Sequence, residues 1–239
     1  MNIAILGYGK MGKEIEKITL ERNHKVLLII DIDNQSEFTS ENLLNIDVAV
    51  DFSMPDCAYT NIVRCFEANT PVVSGTTGWL DKFDKVISMC KEKEQTFFYA
   101  SNFSLGVNIF FELNRNLARI MNSFSDYDIV IEEKHHTQKL DAPSGTAIKL
   151  ANDIISVLDR KSRWELDKAS ESDSIKISAI RKNKITGIHT ITYDSPMDFI
   201  EIKHSAKSRK GFALGAILAA EFIKDKKGYF TMNDLLQVS

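Results

Sequence analysis

Cysteine is scarce in this chain of 239 residues: Cys57, Cys65 and Cys90 are the only three. Their spacing forms neither a paired zinc-ligand pattern nor a Cys-x-x-Cys motif, which excludes a disulfide scaffold and dithiol redox chemistry; a reducing cytosol fits them best. Positive charge is not in excess either. The 30 Lys and Arg against 33 Asp and Glu leave a net charge of -3, which offers no general attraction for nucleic acid or an acidic membrane surface. No nucleic-acid or membrane partner is therefore expected, and a site for an anionic substrate must be a local cluster. The apolar run Phe212 to Ile223 is too short to span a bilayer and carries Glu221. With no basic leader before the first apolar run, the expectation is a cytoplasmic, unanchored protein. No internal repeat or low-complexity segment is present. What remains is 44% hydrophobic and 26% charged, the composition of an ordinary globular chain with room for one large domain or two small ones.

The N-terminal half reads as alternating strands and helices. Ile3-Ala4-Ile5-Leu6 is a short apolar run ending in Gly7-Tyr8-Gly9-Lys10-Met11-Gly12, followed by a segment with an apolar stripe. In that strand–turn–helix context the glycine pattern points to dinucleotide binding: Gly7 for the tight turn, Gly9 for close approach of a pyrophosphate, Gly12 for packing of helix on strand. A second apolar run, Val26 to Ile30, ends at Asp31. An acid there suits the adenosine ribose hydroxyls, although strands also end in Asp because it opens turns. Asp31 is the preferred ribose ligand and Asp33 the reserve. An acid disfavours a 2′-phosphate while Lys10 and Lys13 pull the other way, so NADH or NADPH stays open. Val48 to Phe52, Pro71 to Ser74 and Thr96 to Ala100 continue the series, with helices predicted over 57–68 and 80–93. Such alternation predicts a parallel sheet covered on both faces. Its ligand edge would carry Phe52-Ser53, Gly75-Thr76-Thr77 and Ser101-Asn102-Phe103.

After Val107 the pattern changes. A helix over 108–121 leads to a strand over 127–132, a polar stretch, and a helix over 146–158. Residues 159–174 read as a polar surface linker. Three alternating runs, Ile175 to Ile180, Ile188 to Tyr193 and Phe199 to His204, predict an antiparallel sheet and hence a second domain of different architecture. Phe212 to Ile223, apolar on nearly all sides, should be a buried helix.

The polar stretch is Glu133-Lys134-His135-His136-Thr137-Gln138-Lys139-Leu140-Asp141-Ala142-Pro143-Ser144-Gly145-Thr146-Ala147. Two imidazoles and an ammonium precede a helix start that itself attracts anions, a pattern suited to a carboxylate-bearing ligand. The bland alternative is a polar loop whose histidines sit in solvent. Adjacent histidines lack the i, i+4 spacing of a helical zinc site and no Cys is close, so no metal is expected. Imidazole titrates near neutral pH, which makes His135 a candidate general acid.

The run His-His-x-x-Lys-x-Asp-Ala-Pro-Ser-Gly-Thr-Ala resembles the signature of the dihydrodipicolinate reductase family. Gly7 to Gly12, Val50 to Ser53, Gly75 to Gly78, Asn102 to Ser104, Gly187 to Thr190 and Phe212 to Ala216 follow in the family's order, so the resemblance spans nearly the whole chain. It implies an α/β architecture: a Rossmann-type parallel-sheet domain over 1–103, to which a C-terminal helix over 210–239 returns, and a smaller α+β domain with a mixed or antiparallel sheet over 104–209 for substrate binding and oligomerisation. It implies reduction of a cyclic imine dicarboxylate by NADH or NADPH in lysine and diaminopimelate biosynthesis, by a homotetramer. It places the general acid at His135; Lys139 is the second candidate, as an auxiliary acid or as a charge that stabilises the reduced ring. His136, Gly145 and Thr146 would hold the substrate. The cofactor would lie on Gly7, Tyr8, Gly9, Lys10, Met11, Gly12 and Asp31, with Gly75, Thr76, Thr77, Ala100, Ser101, Asn102 and Phe103 on its nicotinamide side.

Asp141 is expected to cap or orient its loop and Lys134 to face solvent. Arg181, His189, His204 and Arg209 read as surface or interface residues. Two rival functions share the plan: a dinucleotide-sensing module without catalysis, and a related amino-acid or imine dehydrogenase. Little sequence lies between Leu158 and Ser174, where the family is usually longer.

Overall fold

The computed structural model describes residues 1–169 and 171–237. The chain divides into two units, Met1–Leu105 with Arg209–Ser239, and Gly106–Ser208.

The first unit is a six-stranded parallel sheet in the order β11-β5-β4-β3-β1-β2, formed by β1 (Asn2–Leu6), β2 (Lys25–Ile30), β3 (Val48–Asp51), β4 (Val72–Ser74), β5 (Thr96–Tyr99) and β11 (Gly228–Phe230). Its inner strands are apolar on both faces, as a sheet covered on both sides requires. The helices α1 (Lys10–Glu21) and α7 (Lys210–Ile223) bury Ile15, Ile18, Ala216, Ile217 and Ile223 on one face. The other face is covered by α2 (Ser40–Leu43), α3 (Pro55–Glu67) and α4 (Phe83–Glu92) through Leu43, Ile62, Phe66 and Val86. Strand order reverses between β1 and β3, and such a switch point leaves a crevice at the carboxyl ends of the strands.

Two expectations need correction here. The segment after Lys210 is not one helix: α7 is followed by β11, which adds to the sheet beside β5, and by α8 (Met232–Leu236). The last two positions of the predicted helix, 238–239, lie outside the described residues. Gly-Tyr-Phe is too short to show a period, and only pairing with Thr96 to Phe98 makes it a strand. The helix predicted from Leu80 begins as a 3-10 turn over Leu80–Lys82.

The second unit is a five-stranded mixed sheet in the order β10-β9-β6-β8-β7. Its strands are β6 (Asp128–His135), β7 (Arg163–Leu166), β8 (Ser174–Arg181), β9 (Ile188–Asp194) and β10 (Phe199–Ser205), and it carries α5 (Leu105–Met121) and α6 (Gly145–Ile155). Ile129, Ile131, Ile175, Ile177, Ile191 and Tyr193 meet Phe110, Phe111, Leu150 and Ile154 in one core. The sheet is not simply antiparallel. β8 and β9 do not pair with each other; β6 lies between them, parallel to β8 and antiparallel to β9. The expected linker also holds a strand, since β7 pairs in parallel with β8. Its Arg-Trp-Glu-Leu sequence looks polar because an edge strand buries little; position 170 of that linker lies outside the described residues. Among the described residues no helix is long and apolar enough to cross a membrane.

Candidate functional site

In the first unit the glycine turn opens the crevice. Gly7 has φ +90°, and a Cβ there would meet the Phe52 carbonyl oxygen at 2.4 Å; one on Gly12 would meet the Gly7 carbonyl oxygen at 2.2 Å. Both positions therefore require glycine. A Cβ on Gly9 would meet nothing within 4 Å, so that side of the turn is open. Gly7, Tyr8 and Gly9 line a groove of about 320 Å³ with Ile30, Asp31 and Phe52. A smaller hollow of about 230 Å³ is lined by Met11, Phe52, Ser53, Gly75, Thr76 and Thr77. An open glycine turn at a helix N-terminus, next to an acid at the end of β2, fits a dinucleotide. Lys10 is exposed and Lys13 lies 5.7 Å from the Tyr8 ring centre. Asp31 caps the 3-10 turn after β2; Asp33 does not line the groove.

Asp51, wholly buried at the end of β3, ties these loops together. Its carboxylate accepts hydrogen bonds from Ser53 Oγ (2.6 Å), Asn61 Nδ2 (3.0 Å), Ser74 Oγ (2.9 Å) and Thr76 Oγ1 (2.8 Å), while the Ser53 amide donates to Thr76 Oγ1 (2.9 Å). Burial pushes its pKa up, against the pull of the four donors. Of the residues expected on the nicotinamide side, Ser101 is exposed, Asn102 half-buried and Ala100 nearly buried. The Phe103 side chain is core: its ring packs 5.4 Å from Phe52 and 5.7 Å from Phe98. Only its backbone is left to meet a ligand.

In the second unit, alternation along β6 puts Ile129, Ile131, Glu133 and His135 on one buried face. The apolar core thus runs into a polar end on the same side of the same strand. Register completes the group, because Glu133 pairs across from His189 on β9 and His135 from Arg181 on β8. Glu133 is wholly buried and accepts from Arg181 Nη2 (2.9 Å) and from the Ser144 amide, 3.1 Å from each of its oxygens. Ser144 caps α6, its Oγ accepting from the Ala147 amide (3.2 Å) and lying 3.2 Å from His189 Nε2. Gly145 and Thr146 occupy the first turn, where amides have no intrahelical acceptor. Lys139 donates to both Asp141 oxygens (2.8 and 2.9 Å), and Arg181 also donates to the Lys139 and Asp141 carbonyls. The His136 Nδ1 is buried without a hydrogen-bond partner.

The electrostatics follow from burial and neighbours. Burial would raise the Glu133 pKa, but the hydrogen bonds from Ser144 and Arg181 hold it below the usual carboxylate range. Burial pulls His135 below the ordinary imidazole value; Glu133 opposes this, while Lys139 and Arg181 add to it. His189, more deeply placed, is pulled down to about 4 by burial and by His135. Donor atoms of Glu133, His135 and His189 lie within 4.8 Å of one another, as metal ligands would. The Arg181 guanidinium already occupies that carboxylate, so a dication there would face a fixed positive charge.

Several expectations change. His135 ends a strand instead of lying in a loop, and Lys134, half-buried on the opposite face, pairs with Glu132 at 2.7 Å. Arg181 and His189 are not surface residues but members of this cluster. His204 packs its ring 6.0 Å from Phe110, whereas Arg209 is exposed at the start of α7, in line with its reading as a surface residue. Sequence reasoning overlooked Glu133 and Ser144, although the i, i+2 spacing of Glu133 and His135 carried the signal.

Comparison with known proteins agrees with both halves. Residues 1–103 match the family description "Dihydrodipicolinate reductase, N-terminus", and residues 106–236 match "Dihydrodipicolinate reductase, C-terminus". A 4-hydroxy-tetrahydrodipicolinate reductase from Christiangramia forsetii is 54% identical over 236 residues, covering 99% of this chain and 98% of the relative. One from Thermosipho africanus is 36% identical over 239 residues, covering 99% and 98%. Among solved structures, a dipicolinate-bound dihydrodipicolinate reductase from Paenisporosarcina sp. TG-14 superposes with a TM-score of 0.78 at 23% identity, covering 97% of both chains, a likeness of fold.

Proposed function

The chain belongs to the dihydrodipicolinate reductase family, and on that premise we propose that it acts as a 4-hydroxy-tetrahydrodipicolinate reductase. It is an NAD(P)H-dependent oxidoreductase that reduces a cyclic imine dicarboxylate to tetrahydrodipicolinate in lysine and diaminopimelate biosynthesis. The observation that carries the reading at the level of residues is the second unit's cluster: His135, Lys139 and the Ser144 amide just before α6, gathered around Arg181 and Glu133. A sensor of dinucleotides has no use for that set.

When bound, the reduced nicotinamide supplies the hydride. The chain's own groups bind and protonate. In this reading the turn Gly7 to Gly12 and Asp31 hold the nucleotide's phosphates and ribose, and Gly75, Thr76, Thr77 and Ala100 to Phe103 flank its nicotinamide. His136 and the amides of Gly145 and Thr146 hold one substrate carboxylate at a helix N-terminus. His135 donates the proton, and Lys139 places positive charge beside the ring as electrons arrive. NADH is the preferred nucleotide, because the Asp31 carboxylate in the groove repels a 2′-phosphate. The first unit is assigned to cofactor binding and the second to substrate binding and subunit association. A homotetramer joined through the second sheet accords with its exposed Val130, Phe199 and Ile200. A cytoplasmic location accords with three free thiols.

The test is substrate-dependent oxidation of NADH or NADPH with freshly generated dihydrodipicolinate. Turnover supports the proposal. Nucleotide binding with no turnover favours the sensor, and turnover confined to another amino or imino acid favours a related dehydrogenase.

A further inference from the structure

Most of the Glu133 carboxylate is spoken for. Oε1 accepts from both Arg181 and the Ser144 amide, whereas Oε2 accepts from that amide and not from Arg181, which leaves it acceptor capacity even with the Ser144 side chain also acting on the carboxylate. The nearest imidazole nitrogen to Oε2 is His135 Nδ1, at 3.6 Å, with His189 Nε2 at 3.8 Å and already beside Ser144 Oγ. His135 Nδ1 is buried and has no hydrogen-bond partner. A buried polar nitrogen beside an unfilled carboxylate lone pair needs only a small ring rotation to become a charge-assisted bond.

The other ring nitrogen faces Gly187, in the turn before β9. A Cβ on Gly187 would stand 3.2 Å from His135 Nε2 and 3.4 Å from Cδ2. The turn is fixed, since the Gly187 carbonyl accepts from the Ala206 amide at 2.9 Å. Gly187 has no positive φ, so glycine is not there to make the turn possible. What it provides is space at the edge of a ring that is only 7% exposed.

We propose that Glu133 and Gly187 are positioning residues for His135: Glu133 Oε2 accepts the Nδ1 hydrogen, leaving Nε2 to deliver the proton, and Gly187 keeps the approach to Nε2 clear. This rests on the reading of His135 as the proton donor. Five charged or titratable groups face the ring: Glu133 from its own strand, Lys139 and Asp141 from the following loop, Arg181 from β8 and His189 from β9. Glu133 is the closest of the anions. Without it Lys139 and Arg181 prevail and the imidazolium becomes harder to form.

The experiment measures kcat against pH for the wild type, Glu133→Gln, Gly187→Ala and His135→Gln, with NADH affinity of each as a control. A proton donor loses activity as pH rises through its pKa. Glu133→Gln should move that fall to lower pH by about one unit and lower kcat at neutral pH about tenfold. Gly187→Ala should lower kcat without moving the profile, because no charge changes. Nitrogen NMR on the wild type should find the neutral His135 ring carrying its hydrogen on Nδ1, a readout that survives if Glu133→Gln does not fold. A hydrogen on Nε2, or an unmoved profile in Glu133→Gln, overturns the role of Glu133, and wild-type kcat in Gly187→Ala overturns that of Gly187. Full activity in His135→Gln would instead remove the reading on which both depend.

Discussion

Asp51 and Glu133 are both wholly buried carboxylates, one ending β3 and the other two residues before the end of β6, yet they are satisfied in opposite ways. Asp51 has four donors, three hydroxyls and an amide, and no cation among its hydrogen-bond partners. Glu133 has a guanidinium, the backbone amide and side chain of Ser144, and two imidazoles within 4 Å. Neutral donors that converge on one carboxylate fix loops; they do not change protonation state near neutral pH. Imidazoles do. In the proposed function the first centre holds the loops around the groove in one shape, and the second handles protons. On that reading the difference separates a binding surface from a reactive one.

Breaking the reactive side should have the largest effect. His135→Gln is expected to lower kcat about 10²–10⁴-fold, the usual range for general acid catalysis, with NADH affinity unchanged, read by steady-state kinetics and fluorescence titration. An equal loss of NADH affinity would merge the two centres and end the comparison. Lys139→Met is next, and should lower kcat and raise KM for the dicarboxylate together. Intact parameters would remove Lys139 from the site.

Stability against acid sharpens the contrast. The His189 pKa is held near 4 in the folded chain against 6.5 unfolded. Above pH 6.5 both states are neutral and nothing is lost. As pH falls from 6.5 toward 4 the unfolded chain takes up the proton first, so the folded state loses up to about 3 kcal/mol from this group. Denaturant midpoints across that window should fall more steeply for the wild type than for His189→Asn. Equal slopes would mean that His189 is not buried as a neutral ring. The smallest expected effect lies at Asp31: Asp31→Ser should shift the ratio of kcat/KM values for NADH and NADPH several-fold toward NADPH.

Much of this was readable in the sequence, for reasons that differ by element. The glycine turn and the first five strands of the first sheet show because the patterns that place them are local. His135, His136 and Lys139 were read as site candidates because they lie in one contiguous stretch. Glu133, Arg181 and His189 were not, because a charged residue in a strand reads as solvent-facing until its register is known. Only the pairing of Glu133 with His189 and of His135 with Arg181 puts them at one point. The strands β7 and β11, four and three residues long, are defined by their partners alone.

The most direct test sets the two centres side by side: kcat and KM for NADH in Asp51→Asn and in Glu133→Gln, measured at one pH and ionic strength. Asp51→Asn turns an acceptor into a donor among hydroxyls that already point at it, and should raise KM for NADH while sparing kcat. Glu133→Gln should lower kcat and spare KM for NADH. A lowered kcat without a change in KM for Asp51→Asn, or a raised KM for NADH at full kcat for Glu133→Gln, would contradict the division of labour.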